Sequence, residues 1–241
     1  MALLFHKEIK YDTEVNKMAL DENKKTEFIN ELNEAREDKD YTWLVEIAAE
    51  IADAGDNDWA KIILKETEGA LPIHSSSINP LLKLGAGACN IFGDKEWGKS
   101  IYEKVEFEAY DVDHYLDLSI GVAKNLNDNE WARKLFEETE EITNSQGSYN
   151  ADDYCYGLYS LANGICEYLK DKDWAIRLYQ SAENRAESYS DLQRLGRGLS
   201  LKLGDMDWGK KVFSKGLELV RSEGEDYEVE NYEKEFDEIF K

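Results

Sequence analysis

Proline is almost missing from this chain: its 241 residues hold two, Pro72 and Pro80. No stretch alternates apolar with polar residues between turn signals, so strands are not expected and an almost wholly helical fold is. Cysteine is scarce as well, at three residues, and none stands at a metal-binding or redox spacing with another cysteine or with any of the three histidines. Cys89 and Cys166 occupy equivalent small positions of an internal repeat and read as buried, reduced thiols, whereas Cys155, near a helix start, is expected to be more exposed. No apolar run reaches membrane-spanning length, and residues 1–5 give way at once to His6, Lys7 and Glu8, too short for a secretory core. Together these absences predict a cytoplasmic chain.

Positive charge is the other shortage. Against 52 Asp and Glu stand 29 Lys and Arg, for a formal net charge of -23. Such a surface repels nucleic-acid backbones and anionic membranes, so neither is expected as a partner, and a basic protein is the better electrostatic match. Catalytic chemistry finds no foothold. His6, His74 and His114 sit in unrelated contexts, none has a Ser, Cys or Asp at a recognisable motif spacing, and no Gly-rich phosphate loop occurs. Carboxylates are so abundant that chance pairs carry no information about acid-base work, which needs a desolvated pocket. The expectation is no enzyme, no cofactor and no metal.

What is present is one ten-residue pattern, written five times. Trp59, Trp97, Trp131, Trp174 and Trp208 each follow an acidic residue and precede Ala or Gly. Three residues upstream, Asp56, Asp94, Asp128, Asp171 and Asp205 stand where an N-cap carboxylate accepts the free N–H groups of a first helical turn. Before each cap is Gly55, Gly93, Asn127, Lys170 or Gly204, the place where a left-handed residue closes the preceding helix. Gly and Asn suit that conformation; Lys170 adopts it at a cost.

Apolar or small residues then recur at helical spacing on both sides. Downstream, Ala60, Ile63, Leu64 and Thr67 match Ala175, Leu178, Tyr179 and Ala182; upstream, Leu158, Leu161, Ala162, Ile165, Cys166 and Leu169 match Leu192, Leu195, Gly196, Leu199, Ser200 and Leu203. The pattern predicts two helices and one tight turn, five times. The Trp spacings of 38, 34, 43 and 34 residues fall in the range at which helix pairs stack into a solenoid. The five indoles, beside small residues at helical spacing, are expected to wedge between successive hairpins with each N–H turned to a carbonyl or to solvent.

The pattern resembles tetratricopeptide repeats and the related Sel1-like repeats over roughly residues 41–220. Leu195-Gly196, Gly204-Asp205, Gly209, Phe213 and Gly216 reproduce that family's small and aromatic positions, as do Ala132 with Phe136, and Ala175 with Tyr179 and Ala182. Pro72 falls where the family often ends a repeat. The first helix is one residue longer than the family motif, the Trp is not a family position, and four of the five copies lack the closing Pro. The resemblance implies an all-α solenoid of about five helix-turn-helix repeats. It also implies a concave face lined by first helices, which would carry Asn90, Lys124, Tyr159, Asn163, Arg194 and Arg197 as partner-binding residues, and a role as a protein-protein interaction scaffold or adaptor for a peptide or protein partner.

The ends and insertions complete the expected organisation. Residues 1–40 read as an N-terminal segment with a capping helix from Asp21 that carries Phe28, Leu32 and Ala35 on one face; residues 41–221 hold the repeats. Residues 222–241 contain nine acids, yet Val229, Tyr232, Phe236, Ile239 and Phe240 keep helical spacing, which predicts an acidic C-terminal capping helix. Two insertions, residues 71–80 and the polar run 144–150, explain the longer Trp spacings and fall on the same edge of the array. In the first, Asn79 is expected to cap and Pro80 to open the next helix. An alternative function rests on charge alone: an acidic inhibitor or immunity-type protein that neutralises a basic toxin or enzyme.

Overall fold

The computed structural model describes residues 20–72, 74–146 and 151–241, and among these it is all-α, with twelve α-helices and no strand. Residues 1–5 and 147–150 of the expected loop lie outside the described residues. In chain order the helices are α1 (Glu22–Asp38), α2 (Tyr41–Asp53), α3 (Asn57–Ala70), α4 (Ile78–Asn90), α5 (Lys95–Glu108), α6 (Val112–Gly121), α7 (Asn129–Gln146), α8 (Ala151–Gly164), α9 (Lys172–Glu183), α10 (Tyr189–Gly198), α11 (Met206–Glu223) and α12 (Asp226–Phe240). Among the described residues no helix is long and apolar enough to cross a membrane.

The repeated turn forms as its residues dictate. Asp56, Asp94, Asp128, Asp171 and Asp205 each accept the backbone N–H of the Trp three residues on, at 3.0–3.2 Å. The residue before each cap is left-handed: φ is 100° at Gly55, 65° at Gly93, 58° at Asn127, 58° at Lys170 and 83° at Gly204. Lys170 therefore holds a conformation that costs a side-chain-bearing residue about 1 kcal/mol or more. A sixth copy of this turn joins α1 to α2, with Lys39 at φ 56° and the Asp40 carboxylate accepting the Trp43 N–H at 2.9 Å. Its sequence is disguised, because Thr42 precedes the Trp and Leu44 follows it.

The extra residue of the first helices has a structural outlet. In three repeats the last turn winds as a π-helix, over Val122–Leu126, Ile165–Leu169 and Leu199–Leu203. One inserted residue is absorbed by such a turn without breaking the helix. In the third repeat the π turn places Asn125 inside, where its side-chain amide donates to the Tyr102 hydroxyl at 2.6 Å.

The helices pack in consecutive pairs, α2 with α3, α4 with α5, α6 with α7, α8 with α9 and α10 with α11; the first helices α2, α4, α6, α8 and α10 also pack on one another in turn. The expected stripes line the core. Ala60, Ile63, Leu64, Ala175, Leu178, Tyr179, Ala182, Leu158, Leu161, Ile165, Leu192, Leu195 and Leu199 are all buried. Thr67, Thr139 and Thr143 join them because each hydroxyl donates to the carbonyl four residues back, which leaves no polar group unsatisfied. At the start, α1 lays Phe28, Leu32 and Ala35 on α2. At the end, α12 packs on α11, its Phe236 and Phe240 rings around Phe213 at 5.9 and 5.6 Å. Tyr232 fits there because Gly216 has no side chain: a Cβ would come within 1.9 Å of the Tyr232 hydroxyl.

The structure corrects the expectations for Cys155 and for two helix boundaries. Cys155 is fully buried, because α8 begins at Ala151 and carries it into the second turn, where its thiol donates to the Ala182 carbonyl of α9 at 3.6 Å. Helix α4 starts at Ile78 instead of at Pro80, since a 3-10 turn over Ser75–Ser77 feeds directly into it and the Ser77 hydroxyl donates to the Pro72 carbonyl at 2.6 Å. Helix α11 runs on through Glu223, so the terminal helix begins at Asp226 and not near residue 222.

The tryptophans reveal the packing device between pairs. Trp97 is buried, and the other four of the row are partly buried. In four of the five the indole N–H turns neither to a carbonyl nor to water but to a carboxylate. Trp97, Trp131, Trp174 and Trp208 donate to Glu68, Glu106, Glu140 and Glu183 of the preceding pair, at 2.8, 3.1, 2.7 and 2.7 Å. These four glutamates share one repeat position, nine residues after each Trp, and each also meets a cation of the following pair: Lys104 at 2.6 Å, Lys134 at 3.6 Å, Arg177 at 2.5 Å and Lys215 at 2.6 Å. Burial alone would raise the Glu68, Glu140 and Glu183 carboxyls, but the bonds from the cation and the indole outweigh it and hold all three below the usual carboxylate range. Trp59 has no pair before it and meets Phe28 of α1 edge-on at 6.2 Å.

Candidate functional site

The six residues expected on the first-helix face fall into separate local arrangements. Asn90, at the end of α4, is exposed and donates from its side chain to Asn125 at 3.1 Å, and Asn125 in turn donates to Tyr102. Gly85 and Gly121 flank that phenol so closely that a Cβ on either would come within 2.8–3.1 Å of the ring. Asn90 is thus the exposed end of a buried polar chain that ties α4 to α5 and to the π turn of the third pair. Lys124, in that π turn, is exposed and has no ion-pair partner among the described residues.

The other four gather on α8 and α10. Asn163 accepts the Tyr179 hydroxyl at 2.6 Å and is partly buried. Tyr159 is 5% exposed, and its hydroxyl meets the exposed Arg194 guanidinium. Burial raises the Tyr159 phenol, with Arg194 working against it. Arg197 is engaged by the terminal helix: its guanidinium pairs with Glu235 of α12, and Gln193 donates to the same carboxylate at 2.6 Å. Arg197 is therefore spoken for within the chain, and the pair fixes α12 to the end of the first-helix row. One residue of the same face was not foreseen. Tyr156 stands edge-on to Tyr159 at 5.5 Å and leaves 41% of its surface open, so Tyr156, Tyr159 and Arg194 form a contiguous aromatic-cationic patch across two adjacent first helices. Its signal was available, three residues before Tyr159, one helical turn away.

Elsewhere on the first helices, successive members are laced by ion pairs, Lys83 with Glu46 and Lys202 with Glu167. His114 lies with Nδ1 2.9 Å from the Asp111 carboxylate, which also accepts the His114 backbone N–H at 2.9 Å as an N-cap. His74 accepts from the Ser76 N–H at 3.3 Å in the distant loop before α4. Among the described residues no group of three or more His, Cys, Asp or Glu side chains is placed to share a metal ion. Comparison of the chain with protein-family models, with curated proteins and with solved structures finds no significant match.

Proposed function

We propose that this chain is a protein-binding scaffold in which the five helix pairs stack as a tetratricopeptide-like solenoid, closed at its ends by α1 and α12, and that a peptide or protein partner binds along the row of first helices. In support of this reading, the first helices pack directly on one another, while successive second helices are bridged by long Trp and Glu side chains. The observation that carries the binding assignment is the Tyr156, Tyr159 and Arg194 patch. An open tyrosine face held rigid by a second tyrosine, beside an exposed guanidinium, is the chemistry enriched at the centres of protein interfaces.

The test is titration of the full chain against a partner recovered by affinity capture, comparing wild type with a Tyr156→Ala, Arg194→Ala double variant. Loss of about tenfold or more in affinity with an unchanged melt supports the assignment. Unchanged affinity in the double variant removes it. The net charge of -23 favours a second reading, capture of a basic partner by the acidic exterior. That mode weakens steeply between low and physiological salt, whereas a groove built on aromatic contacts does not.

A further inference from the structure

At the junction of the first two pairs the repeats depart from the later ones, and the departure opens a cleft. The residue after each bridging glutamate is polar in the third, fourth and fifth pairs, where it is Glu141, Asn184 or, following Leu217, Glu218. In the first two pairs it is Gly69 and Phe107. Gly69 lies in the last turn of α3, where glycine weakens a helix relative to alanine. No packing requires it, since a Cβ there would meet nothing within 4 Å. Phe107, one pair on, leaves 83% of its surface in solvent. Between the two helix ends is a cleft of about 570 Å³, floored by Leu71, Pro72 and Leu81 and walled by Phe107. Leu71 and Pro72, which open the first insertion, supply most of that floor. The volume is that of a site for one or two large side chains.

The rim gives the cleft a sign. Lys104 is held by Glu68, which also takes Lys65 and the Trp97 N–H, so the cations here are consumed internally. Glu103 and Glu108, also at the cleft, are left without an ion-pair partner among the described residues. An apolar floor under unpaired acids complements a segment that places a leucine or phenylalanine between lysines or arginines.

We infer that this cleft between α3 and α5 is a second docking site, distinct from the first-helix face, for an extended segment of a partner protein in which large apolar residues alternate with basic ones. The segment seats an apolar side chain against Phe107 and Pro72 in the space left by Gly69, and its cations reach Glu103 and Glu108.

The probe is a fluorescein-labelled peptide alternating lysine with leucine, followed by anisotropy with the full chain at physiological salt. Two companion peptides replace every leucine by serine or every lysine by glutamate. Gly69→Leu fills the cleft from a position with free space around it and leaves the fold intact, while Glu103→Lys with Glu108→Lys reverses the rim. Each variant is expected to weaken the lysine-leucine peptide by about tenfold or more, with unchanged melts, and neither companion peptide should bind wild type comparably. The Tyr156→Ala, Arg194→Ala variant should bind the probe like wild type, which separates this site from the first-helix face. Equal binding of the serine peptide, or full binding by Gly69→Leu, would reduce the effect to general attraction by an acidic surface and overturn the inference. A gain of about tenfold on deletion of residues 1–19 would show that this segment of the chain itself competes for the cleft, and would overturn the partner assignment.

Discussion

Replacing Trp174 by Phe keeps most of the ring and deletes one N–H. In the intact chain that N–H donates to Glu140 at 2.7 Å, and Glu140 is also held by Arg177 at 2.5 and 2.9 Å. A hydrogen bond to a charged group is worth about 1.5–3 kcal/mol, but the carboxylate retains Arg177 and is not orphaned, so the expected loss is at the lower end, about 1.5 kcal/mol. Trp174→Ala removes the ring as well. For a fully buried indole that costs about 3–5 kcal/mol; Trp174 is only partly buried, so about 2–4 kcal/mol is expected. The Arg177 ion pair, with the guanidinium 59% exposed, contributes under about 1 kcal/mol by itself. The discriminating assay is a double-mutant cycle of Trp174→Phe with Glu140→Ala, read by urea denaturation followed by far-ultraviolet circular dichroism. A coupling of about 0.5–2 kcal/mol is expected, and none for Glu140→Ala with Trp59→Phe, whose ring faces Phe28. A Trp174–Glu140 coupling below about 0.3 kcal/mol would refute the claim that the indole-carboxylate bond joins the pairs.

Acid should loosen the same junctions. Because the Glu68, Glu140 and Glu183 carboxyls lie below their ordinary value of 4.5 in the folded chain, the stability they contribute is complete above that value and is lost as pH falls through the folded values. A triple Glu→Gln variant should be less stable near neutrality and show a flatter acid limb in urea midpoint against pH; parallel limbs would contradict the assignment. Lys170→Gly relieves a left-handed side chain and should stabilise by about 0.5–1 kcal/mol in the same urea assay, whereas a destabilised variant would show that Lys170 pays no such penalty. Deleting residues 226–241 uncovers Phe213 and should produce self-association by sedimentation velocity, while a monomeric truncation of unchanged stability would make α12 dispensable.

Much of the fold was legible because its signals are local. A carboxylate three residues before a Trp, after a Gly or Asn, specifies a stop and a start within one turn, and the buried stripes follow from helical spacing. The indole partners were not legible in the same way. Glutamate is so common on these helices that one more at a surface position carries no signal, and only alignment of the copies isolates Glu68, Glu106, Glu140 and Glu183. That alignment contains its own check: the last pair, with no Trp after it, has Leu217 in their place. Lys39 and Asp40 were missed because α2 serves both as the second helix of that turn and as the first helix of the next pair. The candidate face was readable as a set of positions but not as a set of contacts. Arg197 is taken by Glu235, a residue 38 positions away whose register depends on where α12 docks. Tyr156 becomes informative only once Tyr159 is seen buried beside it.

The most direct measurement of the scaffold assignment is hydrogen-deuterium exchange of the full chain with and without a captured partner. The account predicts slowed exchange concentrated in α8 and α10, around Tyr156 and Arg194, with α7, α9 and α11 unchanged. Protection confined to the second helices, with α8 and α10 exchanging as in the free chain, would contradict it and place binding on the acidic exterior.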